Sequence, residues 1–152
     1  MSWLKRIFDG RHRRALAAEG AGEWRRAATL WAEMGELERA AEALIHLAGR
    51  GGELQDRLDA WHDALLWIPE DDEERRDEVE VRMGLAVLED ARHRGTASAE
   101  EKRRVAEAAA RLERLGHPGE AAVAYGLLGR EEDQARCLEL AGEVEQLEEL
   151  LV

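Results

Sequence analysis

Asparagine is absent from this 152-residue chain, proline occurs twice and cysteine once. With Cys137 alone no internal disulfide can form, and a reducing compartment, the cytoplasm, is expected. Phenylalanine and tyrosine occur once each, so five of the seven aromatic residues are tryptophan. β-Branched residues are scarce, which argues against a sheet. There is no long apolar run: Trp3-Leu4 is broken at once by Lys5-Arg6, which excludes a signal-peptide core there, and no stretch approaches transmembrane length. Basic charge is in deficit. The net charge of −12 excludes a general nucleic-acid binder, which needs a basic face to neutralise phosphates.

What remains favours helix nearly everywhere: alanine, leucine, glutamate and arginine. Hydrophobic residues make up 45% of the chain, enough for a core, and the length suits one domain. Arginine outnumbers lysine twenty to two, a bias expected of a GC-rich, bacterial genome. Charge is unevenly placed. Residues 1–14 hold five basic groups against Asp9, whereas residues 70–80 hold eight acids against two arginines and residues 131–149 eight against one.

A phrase returns every thirteen residues. Gly22-Glu23-Trp24-Arg25-Arg26-Ala27-Ala28 is followed by Gly35-Glu36-Leu37-Glu38-Arg39-Ala40-Ala41, and it resumes from Gly116, Gly129 and Gly142. Small or apolar residues fall five, six, eight and nine positions after the glycine, on one helical stripe that weakens from Gly129 to Ala135, Cys137, Leu138 and Ala141 and from Gly142 to Leu147, Leu150 and Leu151. From Gly22 these are Ala27, Ala28, Leu30 and Trp31; from Gly116 they are Ala121, Ala122, Ala124 and Tyr125. The glycine supplies the left-handed residue that ends a helix. Each unit therefore reads as one helix of about ten residues and a short turn, and such a helix can bury its apolar face only against neighbours. Gly52 fits this phrase, and Gly10 fits it loosely.

The middle departs from the period. Pro69 stops the helix carrying Trp61 and Trp67. Asp71 or Asp72 can cap a longer helix to about His93, and Ser98 with Glu101 marks another to about Leu115. Pro118 suits a helix's first turn. One domain over residues 1–152 is expected: a short amphipathic helix at 2–8, short-helix repeats at 10–67, a longer hairpin at 71–115 and short-helix repeats again at 116–152.

"GEWRRAATLWAEMG" and "GELERAAEALIHLAG" resemble the second helix of tetratricopeptide-type repeats. Two of these units span about 26 residues against the usual 34 or so, so the likeness is closest to the shortened hairpins of coat- and transport-type solenoids. It covers residues 10–67 and 116–152 well and the middle poorly. It implies an all-α fold, a right-handed stack of antiparallel hairpins with about nine helices, and a scaffold that holds other proteins. No partner and no binding residue carries over from it.

Reactive constellations are not visible. His12, His46, His62, His93 and His117 are not spaced three or four residues from one another or from Cys137, as a helical metal site would need. Gly49-Arg50-Gly51-Gly52 lacks the strand and the Lys-Ser/Thr of a phosphate loop and reads as an interhelix turn. Cys137 falls on the apolar stripe, as a buried small residue. No catalytic residue, metal or cofactor is expected.

The expected activity is a non-enzymatic interaction scaffold or adaptor whose partner is another protein or peptide. Candidate contacts are Arg25, Arg26 and Arg39 on the repeats, Trp67 at a helix end, and Asp71, Asp72, Glu73 and Glu74 as an acidic patch or simply a solvated helix start. Trp3, Leu4, Ile7 and Phe8 share a face with Lys5 and Arg6 opposite, followed by Arg13 and Arg14. That segment reads as a cap for the first repeat, a partner-docking element or a membrane-surface anchor. Apolar residues at 142–152 leave two further readings open: a homodimer through this edge, or the N-terminal regulatory domain of a larger protein.

Overall fold

Four of the turns between helices share one hydrogen-bonded form. In the computed structural model, which describes the backbone of residues 2–151 and the side chains of residues 10–151, Gly22, Gly35, Gly116 and Gly129 have φ of 75°, 76°, 84° and 70°. At each, the glycine N–H donates to the carbonyl three residues back and the next N–H to the carbonyl five back. These are Gly35 N to Ala32 O at 3.0 Å and Glu36 N to Trp31 O at 2.9 Å, with equivalent pairs at the other three. This is the Schellman arrangement, which satisfies the orphan carbonyls of a helix end and needs a left-handed residue at its glycine. The residue after the glycine is at once the end of one helix and the start of the next. The carbonyls of Glu23, Glu36, His117 and Arg130 accept the first helical N–H of Ala27, Ala40, Ala121 and Gln134 at 2.9–3.1 Å. The thirteen-residue phrase is therefore a hydrogen-bonded joint as well as an apolar stripe.

The described residues form eight helices: α1 Ser2–Gly20, α2 Trp24–Glu33, α3 Leu37–Gly49, α4 Leu54–Trp67, α5 Glu73–Arg94, α6 Ala99–Arg114, α7 Pro118–Leu127 and α8 Glu131–Leu151. The fold is all-α, with helices packed on their chain neighbours. Fewer helices form than the expected nine or so with a short extra one at 2–8, because Gly10 and Gly142 lie inside α1 and α8. The other punctuation falls where expected. Ile68 is extended (ψ 128°) before Pro69; Asp72 Oδ1 accepts the Arg75 N–H at 3.3 Å, capping α5. Ser98 Oγ accepts the Glu101 N–H at 3.1 Å and donates to the Glu101 carboxylate at 3.0 Å. Gly51 and Gly52, both with positive φ, form the turn between α3 and α4. No helix among the described residues is long and apolar enough to cross a membrane.

Two compact units divide the chain, Met1–Val79 and Glu80–Val152, with the division inside α5. The first is built on alanine. Ala15, Ala18, Ala27, Ala28, Ala40, Ala43 and Ala64 surround Trp31 and Leu44 in one buried cluster. Small side chains bring helices close, and the wholly buried indole of Trp31 fills what they leave. Its Nε1–H is satisfied by Glu19 Oε1 at 2.7 Å.

The second unit buries Met83, Val87, Leu88, Val105, Ala108, Leu112, Ala121, Ala122, Tyr125 and Cys137. Here α5 and α6 meet closely at Gly84, where a Cβ would lie 3.0 Å from Leu112 Cγ.

Candidate functional site

Arginines hold the turns of the first unit together. Arg50 Nη1 donates to Gly22 O at 2.7 Å, Arg57 Nε to Ala48 O at 2.8 Å, and Arg76 Nη1 to Leu65 O and Ile68 O, both at 2.9 Å. Each side chain satisfies carbonyls left free near a helix end, where the dipole also favours a cation. Sequence reasoning missed these roles, because arginine abundance reads as a genome bias until the carbonyls it faces are known.

Beside Arg57 lies a cleft of about 340 Å³ lined by Arg25 of α2, Leu47 of α3, Gly51, Gly52 and Glu53 of the turn, and Asp56, Arg57 and Asp59 of α4. Arg25 pairs with Asp63 at 3.1 Å, both side chains about half exposed. The Arg57 guanidinium lies 5.1 Å from the Trp61 ring centroid. Trp61 is buried, and its Nε1–H has no hydrogen-bond partner among the described residues. Two guanidinium groups, three carboxylates and the apolar Leu47 thus line the cleft.

The other candidate contacts are dispersed. Arg26 pairs with Glu23 at 3.3 Å. Arg39 lies over the buried Trp31, 4.6 Å from its centroid, with Nη1 3.4 Å from His12 Nε2. His12 meets the same indole edge-on at 5.0 Å, and His46 stacks on Trp24 at 4.6 Å. Trp67 is half-buried against the alanine cluster, whereas its neighbour Leu66 is exposed, which the stripe did not foretell. Asp71, Glu73 and Glu74 are exposed at the start of α5 around the capping Asp72. Next to them Arg75 reaches Glu42 at 3.2 Å and Glu38 at 3.6 Å, tying this turn to α3. Arg13 and Arg14 are exposed on α1. The side chains of Trp3, Leu4, Ile7 and Phe8 lie outside the described residues.

In the second unit the charged groups converge on Glu113. Arg136 grips it through two bonds, Nε to Oε1 at 3.0 Å and Nη2 to Oε2 at 2.9 Å, and its Nη1 donates to Asp133 at 2.7 Å. Tyr125 Oη donates to Glu113 at 3.3 Å, and Arg130 pairs with Asp133 at 2.7 Å while facing the Tyr125 ring. The hydrogen bond from Arg136 holds the Glu113 and Asp133 carboxyls below the usual range. Burial, then the Glu113 charge, pushes the Tyr125 phenol up. The Cys137 thiol rises for the same two reasons, which keeps it protonated and a poor nucleophile. This network fastens α6, α7 and α8 to one another.

Beyond that network α8 runs on. It has 21 residues where α7, its hairpin partner, has 10. The Gly142 at which the phrase would turn is helical, and the leucines after it are exposed. Among the described residues no group of three or more His, Cys, Asp or Glu side chains is placed to hold a metal ion. Compared with known proteins, the chain matches no family model, no curated sequence and no solved structure.

Proposed function

We propose that this chain is a non-enzymatic protein-interaction module of the tetratricopeptide-like kind, an adaptor whose short helical hairpins display side chains for a protein or peptide partner. The observation that carries the reading is the four-fold recurrence of one glycine joint linking short helices with alanine-lined contacts. Stacked helical repeats of this kind present extended surfaces for binding. The mixed-charge cleft around Arg25 and Arg57 is the contact surface proposed in the first unit. A polypeptide segment carrying both a carboxylate and a basic group suits it, because an arginine fork holds a carboxylate in two-point geometry.

Affinity capture with the intact chain, run in parallel with an Arg25→Glu variant, tests the reading. Arg25 is half exposed but pairs with Asp63, so a helical spectrum and melting midpoint equal to the native chain's establish that the variant keeps its fold. A protein retained by the native chain and lost from the variant supports the module. Retention of the same proteins at equal levels by both rejects the cleft as the contact surface.

A further inference from the structure

Past Arg136 the chain of α8 carries no basic residue, while Glu139, Glu143, Glu145, Glu148 and Glu149 are all exposed. Between them Leu140, Val144, Leu147 and Leu151 fall at intervals of four, three and four, a single stripe along the helix. Exposure climbs along that stripe from zero at Cys137 to 41% at Val144, 61% at Leu147 and 87% at Leu151. The stripe is the outward continuation of the face that packs in the helix's first half. Ala141, Val144, Glu145 and Glu148 also border a hollow of about 480 Å³ at the start of α7, near His117 and Pro118. An apolar strip of this kind, walled by acids, fits an amphipathic helix whose own flanks are basic.

A second α8 is a poor occupant, since pairing two such strips opposes glutamates to glutamates. The chain contains one segment of the required chemistry. Residues 3–14 place Trp3, Leu4, Ile7 and Phe8 at helical spacing among Lys5, Arg6, Arg11, Arg13 and Arg14, against the single acid Asp9. The backbone there is helical, and Arg11, Arg13 and Arg14 are exposed. We infer that the overhanging half of α8, residues 141–151, docks the basic N-terminal segment of a second copy of this chain, head to tail. Such a contact joins two different surfaces, so it propagates into a chain of copies or closes into a ring. Its charged rim makes it sensitive to salt. The self-contact is separate from the adaptor role proposed above, because the α8 strip and the α2–α4 cleft share no residue.

Sedimentation velocity on the full chain, over a concentration series at low and high salt, reads the association. Native protein shifts to faster-sedimenting species with concentration, and added salt reverses the shift. Glu145→Lys with Glu148→Lys abolishes it, and so does Arg13→Glu with Arg14→Glu. An equimolar mixture of the two double variants restores it, because each then offers the complement of the other. Leu151→Gln, at a side chain too exposed to affect folding, also weakens it. Native protein that stays monomeric throughout overturns the inference. So does association that survives in the Arg13/Arg14 variant, which would place the contact between two α8 helices or elsewhere, and so does a mixture that fails to recover.

Discussion

Gly129 and Gly142 stand thirteen residues apart in one unit, at the same phase of the same phrase, and the structure gives them opposite roles. Gly129 has φ 70° and closes α7, whereas Gly142 lies inside α8. A Cβ added at either meets nothing within 4 Å, so replacement by alanine tests backbone conformation alone. At Gly129 an L-residue in the left-handed region costs about 1–2 kcal/mol. Reduced freedom of the unfolded chain offsets about 0.4–1 kcal/mol of that. The expected net result is a loss of about 1 kcal/mol, or roughly 2–4 °C in Tm for a chain of this size. At Gly142 the same substitution replaces glycine with the best helix former and raises helix stability by about 0.5–1 kcal/mol. Urea denaturation followed by ellipticity at 222 nm compares the two variants with the native chain. Gly129→Ala lowers the midpoint, and Gly142→Ala holds or raises both midpoint and helical signal. Equal losses from both variants would mean that the phrase turns at Gly142 as it does at Gly129, refuting the long α8 and the strip built on it.

Other consequences follow from the packing. Gly84→Ala puts a methyl group 3.0 Å from Leu112 Cγ, a wholly buried side chain that must shift by a few tenths of an ångström to receive it. A loss of about 1–3 kcal/mol is expected in thermal melts. Leu112→Ala should cost less in that background than alone, a non-additivity that a double-mutant cycle measures. Arg136→Leu releases Glu113 and Asp133, whose carboxyls the guanidinium keeps below their ordinary range. A depressed carboxylate contributes stability above its unfolded pKa and loses it as pH falls through the folded one. The native chain should therefore be more stable than the variant at neutral pH, with the two melting curves converging as the pH drops through and below about 4. Cys137, fully buried with its thiol pushed up, should react with an aromatic disulfide reagent only after denaturant unfolds the second unit; prompt labelling of the native chain would contradict its placement.

Much of this architecture is legible in the sequence because its joints rest on local chemistry. The glycine, the alanines five and six residues on, Ser98 with Glu101, Pro69 and Pro118 each act within a turn or two, and each is found in its expected role. Where the reading of the phrase fails, the missing information is tertiary. Four residues before each turning glycine stands a buried side chain, Ala18, Trp31, Leu112 or Tyr125, whose carbonyl takes the N–H that follows the glycine. Four residues before Gly142 stands Leu138, 56% exposed, and before Gly10 stands Arg6. A leucine there looks like its counterparts until the packing of α8 is known. The candidate site was legible in fewer of its parts. Arg25 stands out in the sequence, but the cleft also depends on Arg57 and the carbonyl of Ala48, separated by nine residues and joined by a turn whose path two glycines set.

Backbone chemical shifts and three-bond couplings measured by NMR in solution reach the joint on which both the fold and its proposed use depend. The account predicts positive φ at Gly22, Gly35, Gly116 and Gly129, helical values at Gly10 and Gly142, and amide protons of Glu23, Glu36, His117 and Arg130 protected from exchange by their bonds five residues back. Helical φ at any of the first four, or rapid exchange at the amides that follow them, would contradict it.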